Sequence, residues 1–141
     1  MKMLIDIGNS QTKWAVGWTL AAITLCRATT TSRRAATAVA ALRALARHGP
    51  PSAIVIGSVV PDVTAVVRAA ARSLYPRAKI VVPCYRDFTR RMLVEVLPRI
   101  EPGVDRLANA LALRELHGLP ACAIDAGTAI TLEVVDRKSV V

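Results

Sequence analysis

The chain has 141 residues, room for one domain or two small ones, and its 53% hydrophobic and 4% aromatic content predicts an aliphatic core. Its formal charge is +9, from 19 Lys+Arg against 10 Asp+Glu; the arginines are scattered with no interleaved aromatics, which reads as a solvated basic surface and argues against nucleic-acid binding. No run reaches the roughly 18 apolar residues of a membrane span, no signal-peptide pattern opens the chain, and Cys26, Cys84 and Cys122 lack metal-ligand spacing, so reduced, buried thiols in a cytoplasmic protein are expected.

Residues 3–6 and 12–16 read as strands around Gly8-Asn9, a common hairpin pair, and 20–26 as a third strand. Thr31 and Ser32 suit the cap of a helix that runs to His48, with Val39, Leu42, Leu45 and Ala46 on one face and Gly49 and Pro50 ending it. Residues 53–57 (AIVIG) are wholly apolar, the pattern of a strand buried on both faces. Ser58-Val59-Val60-Pro61 turns into a second helix, with Pro61 in its first turn and Val63, Val66, Val67, Ala70 and Leu74 as its stripe. Residues 79–82 (KIVV) are another buried strand. Residues 83–103 are irregular, with a short strand at 92–97. Residues 105–116 read as a helix with Leu107 and Leu111 facing in and Asp105 as a candidate N-cap. Residues 121–125 (ACAID) and 129–135 (AITLEVV) are strands around Ala126-Gly127-Thr128.

LIDIGNSQTKW near the start and AIDAGTAITLE near the end share one form: a strand ending in Asp, a Gly turn, and a returning strand that carries Thr. The pair suggests two related halves facing each other across a cleft. Glycine lets backbone N–H groups approach phosphate oxygens closely. Asn9, Ser10, Thr128 and Thr131 add donors, Lys13 adds a point charge, and Asp6 and Asp125 can hold a cation directly or through water. Plainer readings stand beside these: Asx turns at Asp6 and Asp125 and a solvated lysine at 13. His48 and His117 fall at helix ends, where cationic side chains are favourable, and carry no assigned chemistry.

On these residues the chain resembles the acetate/sugar kinase, Hsp70 and actin superfamily, in which two ribonuclease-H-like domains each donate an Asp-x-Gly hairpin to one nucleotide. Within it the chain resembles the type III pantothenate kinases, including the group labelled Bvg accessory factors. The matching pieces are DIGNSQTK at 6–13, SVVP at 58–61, GVDR at 103–106 with Asn109, and DAGTAIT at 125–131. The resemblance implies an α/β fold: an actin-like ATPase domain of ribonuclease-H type over 1–104, with a mixed sheet and flanking helices, and the incomplete start of a second over 105–141. It implies ATP-dependent phosphorylation of pantothenate, the first step of coenzyme A synthesis. Asp6, Ile7, Gly8, Asn9, Ser10, Gln11, Thr12, Lys13 and Thr128 would bind ATP. Gly103, Val104, Asp105 and Arg106 would form the substrate site, with Asp105 accepting the proton of the primary hydroxyl. Mg²⁺ would accompany ATP, and Asp125 would sit at a monovalent cation, K⁺ or NH₄⁺. The family implies a homodimer in the cytoplasm, with no membrane partner.

The resemblance departs at Val96, where the family usually places a tyrosine, and at Pro102, where leucine is common. Family members also continue well past the position of Val141, so the chain is expected to be a fragment, a frameshifted product or a degraded gene copy. A two-stranded second half would leave Ile130, Leu132, Val134 and Val135 exposed and prone to aggregate. Two other functions compete: a nucleotide-binding regulator without turnover on the same fold, and a metal-dependent nuclease using Asp6 and Asp125, which the few scattered acids disfavour.

Overall fold

The structure, a computed structural model, describes residues 1–19, 22–95, 101–127, 129–137 and the backbone of 139–140. It forms two compact units, Met1–Pro83 and Cys84–Val141. Residues 84–104, grouped with the first half in the sequence reading, cluster in the second unit.

The first unit runs β1 (Lys2–Ile7), β2 (Gln11–Thr19), β3 (Ala22–Thr30), α1 (Ala35–Leu45), β4 (Ala53–Ser58), α2 (Pro61–Leu74) and β5 (Lys79–Val81). Its sheet has the order β3-β2-β1-β4-β5. The hairpin-connected strands β1, β2 and β3 are antiparallel, while β4 and β5, each reached through a helix, run parallel to β1. Short turns can only reverse a strand, and a helical crossover restores its direction, so the connections dictate this mixed sheet. It is the α/β architecture that the resemblance implied, a mixed sheet with flanking helices as in actin-like ATPases.

Alternation sets the core. Met3, Ile5, Ile7, Trp14, Val16, Ile54 and Ile56 share one face of the sheet and pack with Ala38, Ala41, Leu42 and Leu45 of α1 and Val63, Val67, Ala70 and Ala71 of α2. The apolar run of β4 is fully buried only at Ile54 and Ile56; Ala53 and Val55 are half-buried, because the helices cover one face. The N-cap of α1 differs from expectation. Helix α1 starts at Ala35 behind Arg34, with no side-chain cap; Thr31 is drawn to the β1–β2 loop instead, and Ser32 accepts only the Arg34 N–H. A 3₁₀ turn, Ala46–His48, extends α1 until Gly49, at φ 117°, ends it. Tyr75 Oη, just beyond α2, donates to Leu42 O at 3.0 Å and ties the helices together.

The second unit holds α3 (Tyr85–Thr89), β6 (Leu93–Val94), α4 (Val104–Leu116), β7 (Ala121–Ala126), β8 (Ile130–Val135) and β9 (Ser139–Val140). The expected bare hairpin is part of a four-stranded sheet, β6-β9-β8-β7. One face of that hairpin carries α4, and Phe88, Met92, Leu107, Ala110 and Val135 form a small core. Val135 is therefore buried, not exposed as expected. Ile124, Ile130, Leu132 and Val134 lie on the opposite face and are exposed. The cysteines are free, as expected, but none is buried: Cys26 is half-buried, and Cys84 and Cys122 are exposed.

Candidate functional site

The first hairpin places chemistry by alternation. Met3, Ile5 and Ile7 point to the core, so Asp6 falls on the sheet face away from α1 and α2. The β1–β2 register sets Lys13 directly opposite it, and Lys13 Nζ stands 3.6 Å from Asp6 Oδ2 with each side chain about half exposed. Such an exposed pair is worth roughly 0–1 kcal/mol, so either group can exchange its partner for an arriving anion or cation.

The corner itself is Gly8-Asn9-Ser10-Gln11, closed by the Gly8 N–H donating to Gln11 O at 2.9 Å. Glycine is not needed here for a left-handed conformation, since Gly8 has no positive φ. What it supplies is space: a Cβ would lie 3.2 Å from Gln11 O, and that carbonyl would have to give by a few tenths of an ångström. Thr31 braces the corner from the end of β3. Its hydroxyl donates to Gly8 O at 2.7 Å, its N–H donates to Ser10 O at 3.0 Å, and Thr12 Oγ1 lies 3.2 Å from its oxygen. Two loop carbonyls that would repel a phosphate are thus occupied. Asn9, Ser10, Gln11 and Lys13 are exposed, whereas the side chains of Ile7 and Thr12 are buried; those two can meet a ligand only through their backbone. Ser58 of the SVVP motif pairs with Ile7, and Ser58, Pro61, Thr64 and Arg68 line an open cavity of about 340 Å³.

The second hairpin is one residue tighter. Gly127 N–H donates to Ala129 O at 3.1 Å, and the register sets Thr131, not a lysine, opposite Asp125. Both are half-buried and share the sheet face of Glu133 and Val135. Thr128 lies outside the described residues, as does Val96.

Helix α4 presents the GVDR segment. Gly103 is the N-cap and makes no side-chain cap bond, which corrects the expectation of Asp105 as the cap. Asp105 instead sits in the first turn, where the helix N-terminus favours a carboxylate, and its Oδ1 accepts the Arg106 N–H at 2.9 Å. The Arg106 side chain reaches across to β8: Nε donates to Glu133 Oε1 at 2.9 Å and Nη2 to Leu132 O at 3.2 Å. Gly103, Val104 and Asn109 are half-buried beside it.

Sequence reasoning missed Thr31 and Glu133. Thr31 reads locally as a helix cap; only the length of β3 carries it to the corner. Glu133 was legible as an acid inside an apolar strand, but its partner lies 27 residues away.

Among the described residues no three His, Cys, Asp or Glu side chains converge on a metal position. The oxygen groups here are the Asp6 and Asp125 carboxylates and the Thr131 hydroxyl, with the Lys13 ammonium 3.6 Å from Asp6. Such a hard, sparse set fits Mg²⁺ carried largely by phosphate and water, or an alkali cation, and does not fit zinc.

Residues 2–141 match the family described as type III pantothenate kinase. The chain is 34% identical over 144 residues to a type III pantothenate kinase of Chlorobaculum parvum, covering 98% of this chain and 52% of that protein. It is 33% identical over 154 residues to one of Rubrobacter xylanophilus, covering 96% and 53%. A shorter match, 63% identical over 38 residues, is to one of Methylacidiphilum infernorum, covering 27% and 14%. The chain spans about half the length of the curated relatives it matches along nearly all of its sequence.

Proposed function

The chain belongs to the type III pantothenate kinase family, and we propose from this premise that it phosphorylates pantothenate with ATP, giving 4′-phosphopantothenate for coenzyme A synthesis. The observation that carries the reading is the Gly8 corner, where a strand-end carboxylate, a lysine and a loop without Cβ at its first residue stand together.

In this reading the 6–13 corner binds the ATP phosphates: Ile7, Gly8 and Thr12 through the backbone, Asn9, Ser10 and Gln11 through backbone and side chains, and Lys13 through its ammonium. Thr128 adds a donor from the second corner. Asp6 belongs to the same ATP corner, Asp125 would sit at a monovalent cation, K⁺ or NH₄⁺, and Mg²⁺ would accompany ATP; when bound, these cations neutralise charge on the phosphates. Gly103 and Val104 help shape the pantothenate site, and Arg106 pairs with the pantothenate carboxylate. Asp105 accepts the proton of the primary hydroxyl as its oxygen attacks the γ-phosphorus and the bond to ADP breaks. We place the kinase in the cytoplasm, with the homodimer expected of the full-length family.

A coupled ADP-release assay with ATP, K⁺ and pantothenate tests the reading. Wild type is expected to turn over, and Asp105→Asn to lose turnover by roughly a hundredfold or more while keeping ATP affinity. Saturable ATP binding with no turnover, both in this chain and in a full-length extension of its gene, supports the regulator instead; turnover only in the extension supports a truncated kinase. Turnover retained by Asp105→Asn removes Asp105 as the base.

A further inference from the structure

Glu133 is a buried charge that phosphate binding does not use. Its side chain is 2% exposed, and Arg106 Nε–Glu133 Oε1 at 2.9 Å is its ion pair. The second oxygen, Oε2, is buried with no hydrogen-bond partner among the described residues. That arrangement is a poor stability device. A buried carboxylate must be stripped of water, and an oxygen left unsatisfied keeps that penalty, so apolar side chains in place of both partners often serve a core as well or better.

The geometry around Arg106 gives the acid another use. A guanidinium offers five N–H donors in a rigid planar fork. Here Nε is held by Glu133 Oε1 and one Nη2 hydrogen by Leu132 O. Among the described residues, the donors left over are at the Nη1/Nη2 end, the edge with the spacing for a bidentate carboxylate. The side chain is 34% exposed, so water reaches part of it. We propose that Glu133 is the positioning residue of the substrate site: it fixes the Arg106 plane so that the Nη1/Nη2 end is offered to the carboxylate of an incoming acid. This rests on the reading of Arg106 as the pantothenate carboxylate's partner, and assigns what holds it in place.

Two variants separate positioning from structural support. Glu133→Gln keeps an acceptor for Nε, and its pantothenate Kd is expected within about twofold of wild type. Glu133→Leu removes the acceptor but fills the space; it leaves Arg106 Nε without its partner, so the melting midpoint should fall, while pantothenate Kd rises roughly tenfold, about 1.4 kcal/mol, and ATP Kd is unchanged. Wild-type pantothenate affinity in a folded Glu133→Leu chain overturns the proposal. Should that variant not fold, ¹⁵N spectra of wild-type Arg106 decide. Pantothenate should shift the Nη signals and leave a slowly exchanging Nε–H in place; fast Nε–H exchange, or pantothenate binding that leaves Arg106 untouched, overturns it. A wild type that binds ATP but no pantothenate removes the functional reading separately. The positioning claim is then judged on Nε–H protection, which must be present in wild type and lost in Glu133→Leu.

Discussion

Gly8 and Thr31 decide whether the first corner can meet a phosphate. A methyl at position 8 would press on Gln11 O at 3.2 Å, and backbone gives way less easily than a side chain tip. Gly8→Ala is expected to weaken ATP binding about tenfold, roughly 1.4 kcal/mol, with a small drop in melting midpoint; titration calorimetry with ATP checks it, and unchanged affinity would show the corner has slack. Thr31→Val strips the hydroxyl from Gly8 O and leaves that carbonyl exposed to any ligand phosphate. A cost of about 1–2 kcal/mol in stability is expected, together with weaker ATP binding. Asp6, Gly8 and Lys13 were legible in the sequence because a strand end and a turn lie within a few residues. Thr31 was not, because its contact spans 23 residues and its neighbours offered it a plausible local role as a cap.

Elements with a long, clean period were readable: β1, β2, β4, α2, α4, β7 and β8 stand within a few residues of where alternation and helical stripes put them. Helix α3 was missed because five residues give no period to detect. What makes it is a capping box, with Asp87 Oδ2 accepting the Cys84 N–H at 2.8 Å. That backbone bond, chiefly, holds the Asp87 carboxyl below the usual carboxylate range. A depressed acid stabilises the fold fully above its unfolded pKa, about 3.9, and the contribution is lost as pH falls through the lower folded value. The start of α3 should therefore loosen below about pH 4, seen as faster Cys84 amide exchange. Asp87→Asn should flatten that dependence; an identical acid response in the variant would assign the loosening to another group.

At the scale of the whole molecule, the second unit keeps α4 on one face of its hairpin and leaves the other apolar. Ile124 and Ile130 are 70% and 78% exposed, and apolar surface of that kind drives self-association. Replacing both with Thr, which keeps β propensity, is expected to reduce aggregation in light scattering with little change in melting midpoint; a large loss of stability would show that these side chains are packed in solution. Periodicity revealed the two faces of β8 but not which one the helix would take, since both Thr131-Glu133-Val135 and Ile130-Leu132-Val134 alternate equally well. Hydrophobicity favoured the second set, and the pairing of Arg106 with Glu133 accompanies the first. Counting from each aspartate makes Thr12 the counterpart of Thr131 and Lys13 that of Leu132, but the tighter loop rotates the return strand by half a pleat. One corner thus pairs its acid with an ammonium and the other with an alcohol. The two look-alike elbows are electrically unequal because leucine at 132 stands where the first carries Lys13, and the tighter loop turns that leucine to the sheet face away from Asp125, so roles copied between them by alignment will land on the wrong side of the strand.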